Sequence, residues 1–270
     1  MTVVDIPPPL PVRDRTAPHE RAPGALSPML TRLAEERATG VLVREHGTLH
    51  LAEGRVVHAE SPLAPGLDVL LTAHGTLDAA AWPWTDDIPA ATHRLLAAGL
   101  LPRGALELCR LGALYDAGYF ALAPSSTPGR FRYGTTTAAA GPPGAVRPLR
   151  AVPVTALEHE TLRRRELLHR IWPDPSADGA PLIRADPVAP PPVTPRQRAV
   201  LDRVDGVRTA PQIARELGRP AFHTLVDVRR LAAAGLLVPR NTVPLPPPLP
   251  PVTDPDIALL KRLRDALEAL

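Results

Sequence analysis

Proline clusters set the strongest limit on how this chain can fold. The sequence holds 36 prolines in 270 residues, and many of them fall in three dense runs. Proline lacks a backbone N–H and holds φ at about −65°, so such runs form extended polyproline II rather than helix or sheet. The runs lie at residues 7–11, 187–195 and 244–251. They predict a disordered lead at 1–23, a linker at 187–193 and a semi-rigid spacer at 241–253.

Residues 194–238 are the most informative segment between these runs, because their pattern predicts three short helices and a following strand. Thr194 is a candidate N-cap with Pro195 at the first helical position, a combination typical of helix starts. Further helices are expected to begin near Thr209 and Pro220, since apolar residues then recur at helical spacing. The glycines that end the three helices are Gly206, Gly218 and Gly235.

This three-helix pattern resembles the winged-helix modules of bacterial transcriptional regulators. In such modules the second helix of a helix-turn-helix pair enters the DNA major groove. The resemblance implies a DNA-binding module at 194–240 in which the third predicted helix meets the groove. The residues predicted to contact DNA are Arg208, Arg219, His223, Thr224, Arg229, Arg230 and Arg240.

The charge distribution supports a polyanionic partner for the same segment. Residues 193–240 hold nine arginines against four acidic residues, a net charge of +5. The whole chain carries +3, so the remainder sums to −2 and the positive charge is local. Local positive charge is the electrostatic signature of phosphate binding.

Two features of the segment favour a different use. After Val238 the chain continues PRNTVPLPPPLPP, and proline cannot donate to a sheet ladder, so a long wing is not expected. Asp227 is expected to point outward from the third helix, which would present a carboxylate to DNA phosphates. The alternative is a winged helix that docks proteins, within a scaffold for a bacterial small-GTPase or kinase signalling module.

The N-terminal half predicts a β-meander. Strands are expected at 40–45, 48–52 and 55–60, where apolar residues alternate between turn signals. Glu53-Gly54 is a hairpin turn of the kind that needs positive φ. A helix is expected before the meander, and helices are expected after it, including a long helical insertion at 88–122.

This half of the chain resembles the PATAN domain found at the N-terminus of PatA-like bacterial response regulators. The motifs that carry the resemblance are Thr39-Gly40-Val41-Leu42-Val43, Gly47-Thr48-Leu49, Glu53-Gly54-Arg55-Val56-Val57-His58-Ala59 and Gly129-Arg130-Phe131-Arg132-Tyr133. The resemblance implies a PATAN-like domain at 24–135 that binds a protein partner in signalling and has no catalytic residues.

Two further segments complete the predicted organisation. A connecting helical segment is expected at 145–186, and its Arg163-Arg164-Arg165 run is interpreted as a solvated or acid-paired face. Residues 254–270 predict an amphipathic helix on the proline spacer, which must dock on its own chain, on a second copy in a homodimer or on another protein. Its predicted docking residues are Ile257, Leu260, Leu263, Leu267 and Leu270.

Catalytic and cofactor-binding patterns are absent from the sequence. It holds no phosphate-binding loop, dinucleotide fingerprint or nucleophile elbow, and its single cysteine, Cys109, is expected to be a small buried hydrophobe. His46, His50 and His58 fall in the meander, where strand spacing keeps two of them too far apart for one metal ion. No cofactor, metal or membrane-spanning helix is expected, and no signal peptide pattern precedes the first helix.

Taken together, the sequence predicts an α+β protein: a PATAN-like β-meander with helices, a C-terminal winged helix-turn-helix, proline-rich linkers and an amphipathic C-terminal helix. We expect a non-enzymatic cytoplasmic regulator that binds DNA through 194–240 and a protein partner through 24–135. The protein-interaction scaffold without DNA binding is the alternative.

Overall fold

The fold is given by a computed structural model, which describes residues 26–73, 75–83, 88–134, 150–187 and 191–240. The chain is a mixed α+β protein, as expected. The proline-rich lead, the proline spacer, the C-terminal helix and its five docking residues lie outside the described ranges.

A five-stranded antiparallel sheet organises the N-terminal half. Its spatial order is β4-β1-β2-β3-β5. The strands are β1 (Gly40–Arg44), β2 (Gly47–Ala52), β3 (Arg55–Glu60), β4 (Arg130–Tyr133) and β5 (Val152–Pro153). The three meander strands are confirmed to within a residue or so at each end, and β4 coincides with the last motif of the PATAN resemblance.

The tight turn between β2 and β3 follows from two residues. Glu53 and Gly54 both adopt positive φ, at 50° and 73°, as the two-residue hairpin requires. A Cβ added to Gly54 would lie 2.4 Å from the carbonyl oxygen of Ala34, so the position demands glycine for space as well as for conformation.

Helix α4 covers one face of this sheet, here called the inner face. The helical elements of this half are α1 (Pro28–Glu35), α2 (Leu67–Thr72), a 3₁₀ turn (Ala79–Ala81), α3 (Ile88–Ala97) and α4 (Arg103–Ala121). Buried residues of α2 and α3 form a second, separate cluster with Leu106 of α4. The expected insertion at 88–122 is therefore α3 followed by α4, and α4 packs against β2 and β3. Leu42, Leu49 and Leu51 of the sheet are buried on the inner face.

The second half of the described chain is mainly helical. Its elements are α5 (Val154–Ile171), α6 (Ser176–Gly179), β6 (Leu182–Arg184), α7 (Pro195–Leu201), α8 (Ala210–Glu216), α9 (Ala221–Ala233) and β7 (Leu237–Pro239). Thr194 and Gln197 form a capping box at the start of α7, since each side chain accepts a hydrogen bond from the other's backbone N–H. The three helices expected from the sequence are confirmed.

Strand β7 finds its partner upstream rather than downstream. It pairs antiparallel with β6, which precedes the three-helix block in sequence. On the other side of β6, the N–H of Gly206 donates to Leu182 and the N–H of Leu182 donates to Arg208, at 2.8 and 3.1 Å. The sequence pattern did not reveal β6, because a three-residue strand carries too little periodicity.

One continuous cluster of buried side chains joins the two halves. It contains Leu42 and Leu49 of the large sheet together with Leu225 and Val228 of α9. Helices α4 and α5 provide the junction, since both contact α9. The domain boundaries drawn from the sequence stay predictions, but the N-terminal and C-terminal segments share a core.

Candidate interaction surfaces

Helix α9, the predicted DNA-reading helix, lies largely inside the protein. Nine of its thirteen residues are buried. The helix contacts α7 and α8 of its own block, and also α4, α5 and α6 from the preceding part of the chain. A helix that enters the major groove needs one side and its first turn open to DNA. Only a narrow stripe of α9, including His223 and Arg230, faces solvent.

The N-terminus of α9 is bound by an aspartate from α4. The Asp116 carboxylate accepts hydrogen bonds from the backbone N–H groups of Ala221 and Phe222, at 2.6 and 2.8 Å. The Arg164 guanidinium lies 3.7 Å from this carboxylate and 4.6 Å from the centre of the Phe222 ring. Burial raises the pKa of the Asp116 carboxyl, and the two hydrogen bonds oppose that shift. The helix end that would approach bases is therefore occupied.

Two of the predicted DNA-contacting residues are interior residues, and for them the prediction is corrected. Arg229 forms a two-pronged ion pair with Asp178, at 2.7 and 2.6 Å, and also donates to the carbonyl of Trp172. Thr224 is buried and donates to the carbonyl of Pro220 within its own helix. Both face α9's neighbours in the protein, because the apolar face of this helix is wider than helical spacing indicated.

Arg208 lies at the surface, but two carboxylates already bind it. Its Nε contacts Glu216 at 2.5 Å and one Nη contacts Asp205 at 2.6 Å. Glu216 also pairs with Arg203 at 3.0 Å. The hydrogen bonds from Arg208 and Arg203 lower the pKa of the Glu216 carboxyl, so it stays ionised and keeps these arginines paired.

Asp227 also departs from its expected position. Its side chain is buried between α9 and α7 rather than exposed, and the guanidinium of Arg196 lies 3.8 Å from it. The carboxylate that we expected to repel DNA therefore offsets a positive charge instead.

The remaining predicted contacts are exposed or half-exposed. They are Arg219, which donates to the carbonyl of Arg196 at 3.3 Å, together with His223, Arg230 and Arg240. Of these, Arg219, His223 and Arg230 are separated from one another along α9 and the residues just before it.

Two residues of the arginine run in α5 are paired with an acid, as one of the two interpretations from sequence expected, and Arg163 is also exposed. Arg163 and Arg164 both donate to Glu160, and these hydrogen bonds lower the pKa of its carboxyl to about 2. Arg164 also donates to the carbonyl of Tyr115 in α4, and Arg165 donates to that of Leu122 just after it. Through these two hydrogen bonds, Arg164 and Arg165 connect α5 to α4 and the residue that follows it.

An apolar patch lies on the small sheet. Ile183 and Val238 are cross-strand partners on β6 and β7, and both are exposed. Val207, in the segment bonded to the other edge of β6, is 69% exposed. The Cβ that Gly206 lacks would lie 3.9 Å from Ile183, so these residues are neighbours.

A second exposed surface is the edge of the large sheet formed by β4. Arg130 and Arg132 are exposed on the face opposite the inner face, while Phe131 and Tyr133 project on the inner side. The two rings meet edge to face with centroids 4.7 Å apart, and Tyr133 is 70% exposed. The exposure of this strand was not predicted, although its alternating Arg-Phe-Arg-Tyr pattern is a sequence signal for it.

Histidine, cysteine and acidic side chains do not gather into a metal-binding cluster in the described part of the chain. Within it, no group of three or more His, Cys, Asp or Glu residues could hold a metal ion. His50 and His58 are cross-strand partners with ring centroids 5.4 Å apart, and His58 contacts Glu60 at 3.0 Å. Burial raises the pKa of the Cys109 thiol. None of the described helices has the length and hydrophobicity needed to cross a membrane.

No family model, curated protein or solved structure matches this chain. The PATAN and winged-helix resemblances therefore stay predictions.

Proposed function

We propose that this protein is a non-enzymatic regulator that acts through protein–protein contacts rather than by binding DNA. The burial of α9 carries the proposal. Its N-terminus is bound by Asp116, and Arg229 is bound by Asp178, so the helix serves as the packing centre of the second half. The winged-helix-like block is then a structural and docking part of the fold, as in the alternative weighed from sequence.

The charge pattern supports the same proposal. Each acidic residue of the block is engaged with an arginine: Asp202 with Arg184, Asp205 and Glu216 with Arg208, and Asp227 with Arg196. Arg215 points elsewhere, donating to the carbonyl of Pro62. Several of the arginines behind the net charge of +5 are therefore already engaged within the protein, whereas DNA binding needs cations aligned with phosphates.

Two exposed surfaces suit a protein partner. The patch of Ile183, Val207 and Val238 offers apolar area for a hydrophobic contact. The β4 edge offers backbone groups that no described strand pairs with, together with two arginines. The PATAN resemblance implies protein interaction through the part of the chain that contains this edge.

A duplex-DNA titration of the full chain tests the proposal. We expect any binding to stay within the nonspecific range of about 10⁻⁴ to 10⁻⁶ M. The double variant R219A/R230A should bind no more weakly than the matched control R32A/R170A, whose arginines lie on α1 and α5. Submicromolar binding that falls steeply with salt and is lost only in R219A/R230A would overturn the proposal and restore the DNA-binding interpretation.

A further inference from the structure

Among the described strands, none pairs with the second edge of β4. Within the described sheet, β4 is the terminal strand and pairs with β1 alone. The N–H of Gly134 donates to the carbonyl of Thr39 at 3.2 Å, so these opposed residues form a hydrogen-bonded pair. Because such pairs alternate along an antiparallel ladder, every second residue of β4 points its N–H and C=O away from β1. Those residues are Phe131 and Tyr133.

The side chains of β4 give this edge a two-sided chemistry. Arg130 and Arg132 lie on the outer face, about 7 Å apart by strand geometry, and neither forms an ion pair with a described residue. Phe131 and the exposed Tyr133 lie on the inner side. One side of the edge is therefore cationic and the other aromatic.

We propose that β4 binds an extended polypeptide segment as an added sixth strand, and that this segment alternates acidic and apolar residues. The inference rests on the proposed protein-interaction function and names its partner's chemistry. Carboxylates of the added strand lie opposite Arg130 and Arg132, and its apolar side chains lie beside Phe131 and Tyr133.

The hydrogen-bond register makes the pairing specific. The backbone groups of Phe131 and Tyr133 form hydrogen bonds with the backbone of the apolar residues of the added strand. Arg130 and Arg132 therefore each lie opposite an acidic residue of that strand in a non-hydrogen-bonded pair. Such pairs have the shorter Cα separation, about 4.5 Å, and bring the side chains closest. Oppositely charged cross-strand pairs stabilise a sheet, whereas like charges destabilise it.

This charge rule disfavours a second copy of the chain as the occupant. If two β4 strands paired antiparallel with each other, the outer faces would align, and an arginine would lie opposite an arginine in the registers that pair Phe131 with Phe131 or with Tyr133. The edge therefore repels its own copy, a device by which proteins keep edge strands from aggregating, and it accepts a strand of opposite charge.

The test measures fluorescence anisotropy of a labelled octapeptide of alternating Glu and Val with the full chain. We expect saturable binding, and at least tenfold weaker binding of the matching Lys–Val octapeptide. N-methylation of the Val residues removes the N–H donors that face β4 and should weaken binding at least tenfold. N-methylation of the Glu residues, whose N–H groups point away, should preserve binding within threefold. Equal binding of the two methylated peptides would overturn the inference.

Charge reversal of the edge provides the matching protein variants. R130E/R132E should lose at least tenfold in affinity for the Glu–Val peptide and gain affinity for the Lys–Val peptide, a gain that an unfolded variant could not show. R198E/R230E reverses two exposed arginines of α7 and α9 and should bind the Glu–Val peptide within twofold of the parent. Retained Glu–Val binding by R130E/R132E would refute the inference.

Two further outcomes separate this inference from the proposed function. If an oligothymidylate displaced the Glu–Val peptide from the parent chain, the β4 edge would be a binding site for single-stranded nucleic acid, and the inference would be refuted. If the peptide failed to bind while the duplex titration showed no DNA binding, the edge inference alone would fall. DNA binding that depends on Arg219 and Arg230 would remove the proposed function without affecting a positive peptide result.

Discussion

Replacement of Arg229 by alanine is the sharpest measure of whether α9 is an internal helix. The Arg229 side chain is 5% exposed, and its partner Asp178 is 24% exposed. Removing one partner of a fully buried ion pair costs about 3–5 kcal/mol. The Asp178 carboxylate that is left behind keeps some contact with water, so we expect R229A to lose about 2–3 kcal/mol of unfolding free energy.

The adjacent residue supplies a matched control. Arg230 follows Arg229 on α9, was predicted from sequence to contact DNA alongside it, and is exposed. Replacing an exposed side chain with few contacts changes stability by about 0.5 kcal/mol or less, which is the expectation for R230A. The difference between the two variants should appear as a melting temperature about 4–12 °C lower for R229A.

Urea unfolding followed by circular dichroism measures both variants at pH 7. The midpoint should shift in R229A while the slope with urea stays unchanged, since the surface exposed on unfolding is the same. If R229A and R230A proved equally stable, Arg229 would be a solvated residue and α9 would be open to a partner. The physical basis for rejecting DNA contact by this helix would then be lost.

Two other substitutions test local claims by the same unfolding assay. The folded state holds the pKa of Glu160 at about 2, below the value of 4.5 for an unperturbed group. The ionised Glu160 carboxylate therefore stabilises the fold above pH 4.5, and this stabilisation is lost as the pH falls toward 2. The E160Q variant should lose less unfolding free energy over this pH range than the parent, whereas E166Q should lose as much as the parent. G54A should cost about 2 kcal/mol or more, because positive φ and the backbone of Ala34 both oppose a side chain. G75A shares the positive φ but meets no atom within 4 Å, so it should cost about 1 kcal/mol; equal losses in the two glycine variants would contradict the close approach of Ala34.

The hydrogen bonds at Asp116 show how the two halves depend on each other. The sequence places Asp116 in a helix of the N-terminal half and Ala221 at the start of a helix in the C-terminal half. The structure joins them, since the carboxylate caps the free N–H groups of α9. A cap supplied by a residue more than a hundred positions away has no local sequence pattern, so only the fold could reveal it.

The same distinction limits what a count of charges along the sequence can show. Counting arginines and acids along residues 193–240 correctly located the excess of positive charge. Counting could not show that Arg229 meets Asp178 from α6, or that Asp202 is held by Arg184 from β6. Both partners come from outside the counted segment, so the charge available to a ligand is set by the packing.

Local chemistry was enough to predict several helices and strands of this protein, although not β6. Glu53-Gly54 encodes a hairpin turn because positive φ is needed there, and Thr194-Pro195 encodes a helix start because a side-chain oxygen and a missing N–H suit that end. Tertiary structure alone decided the rest: α9 became interior, β7 paired with β6, and β4 became the terminal strand of the described sheet. The physical reason is that helix and strand signals act over a few neighbouring residues, whereas burial depends on contacts between residues far apart in the chain.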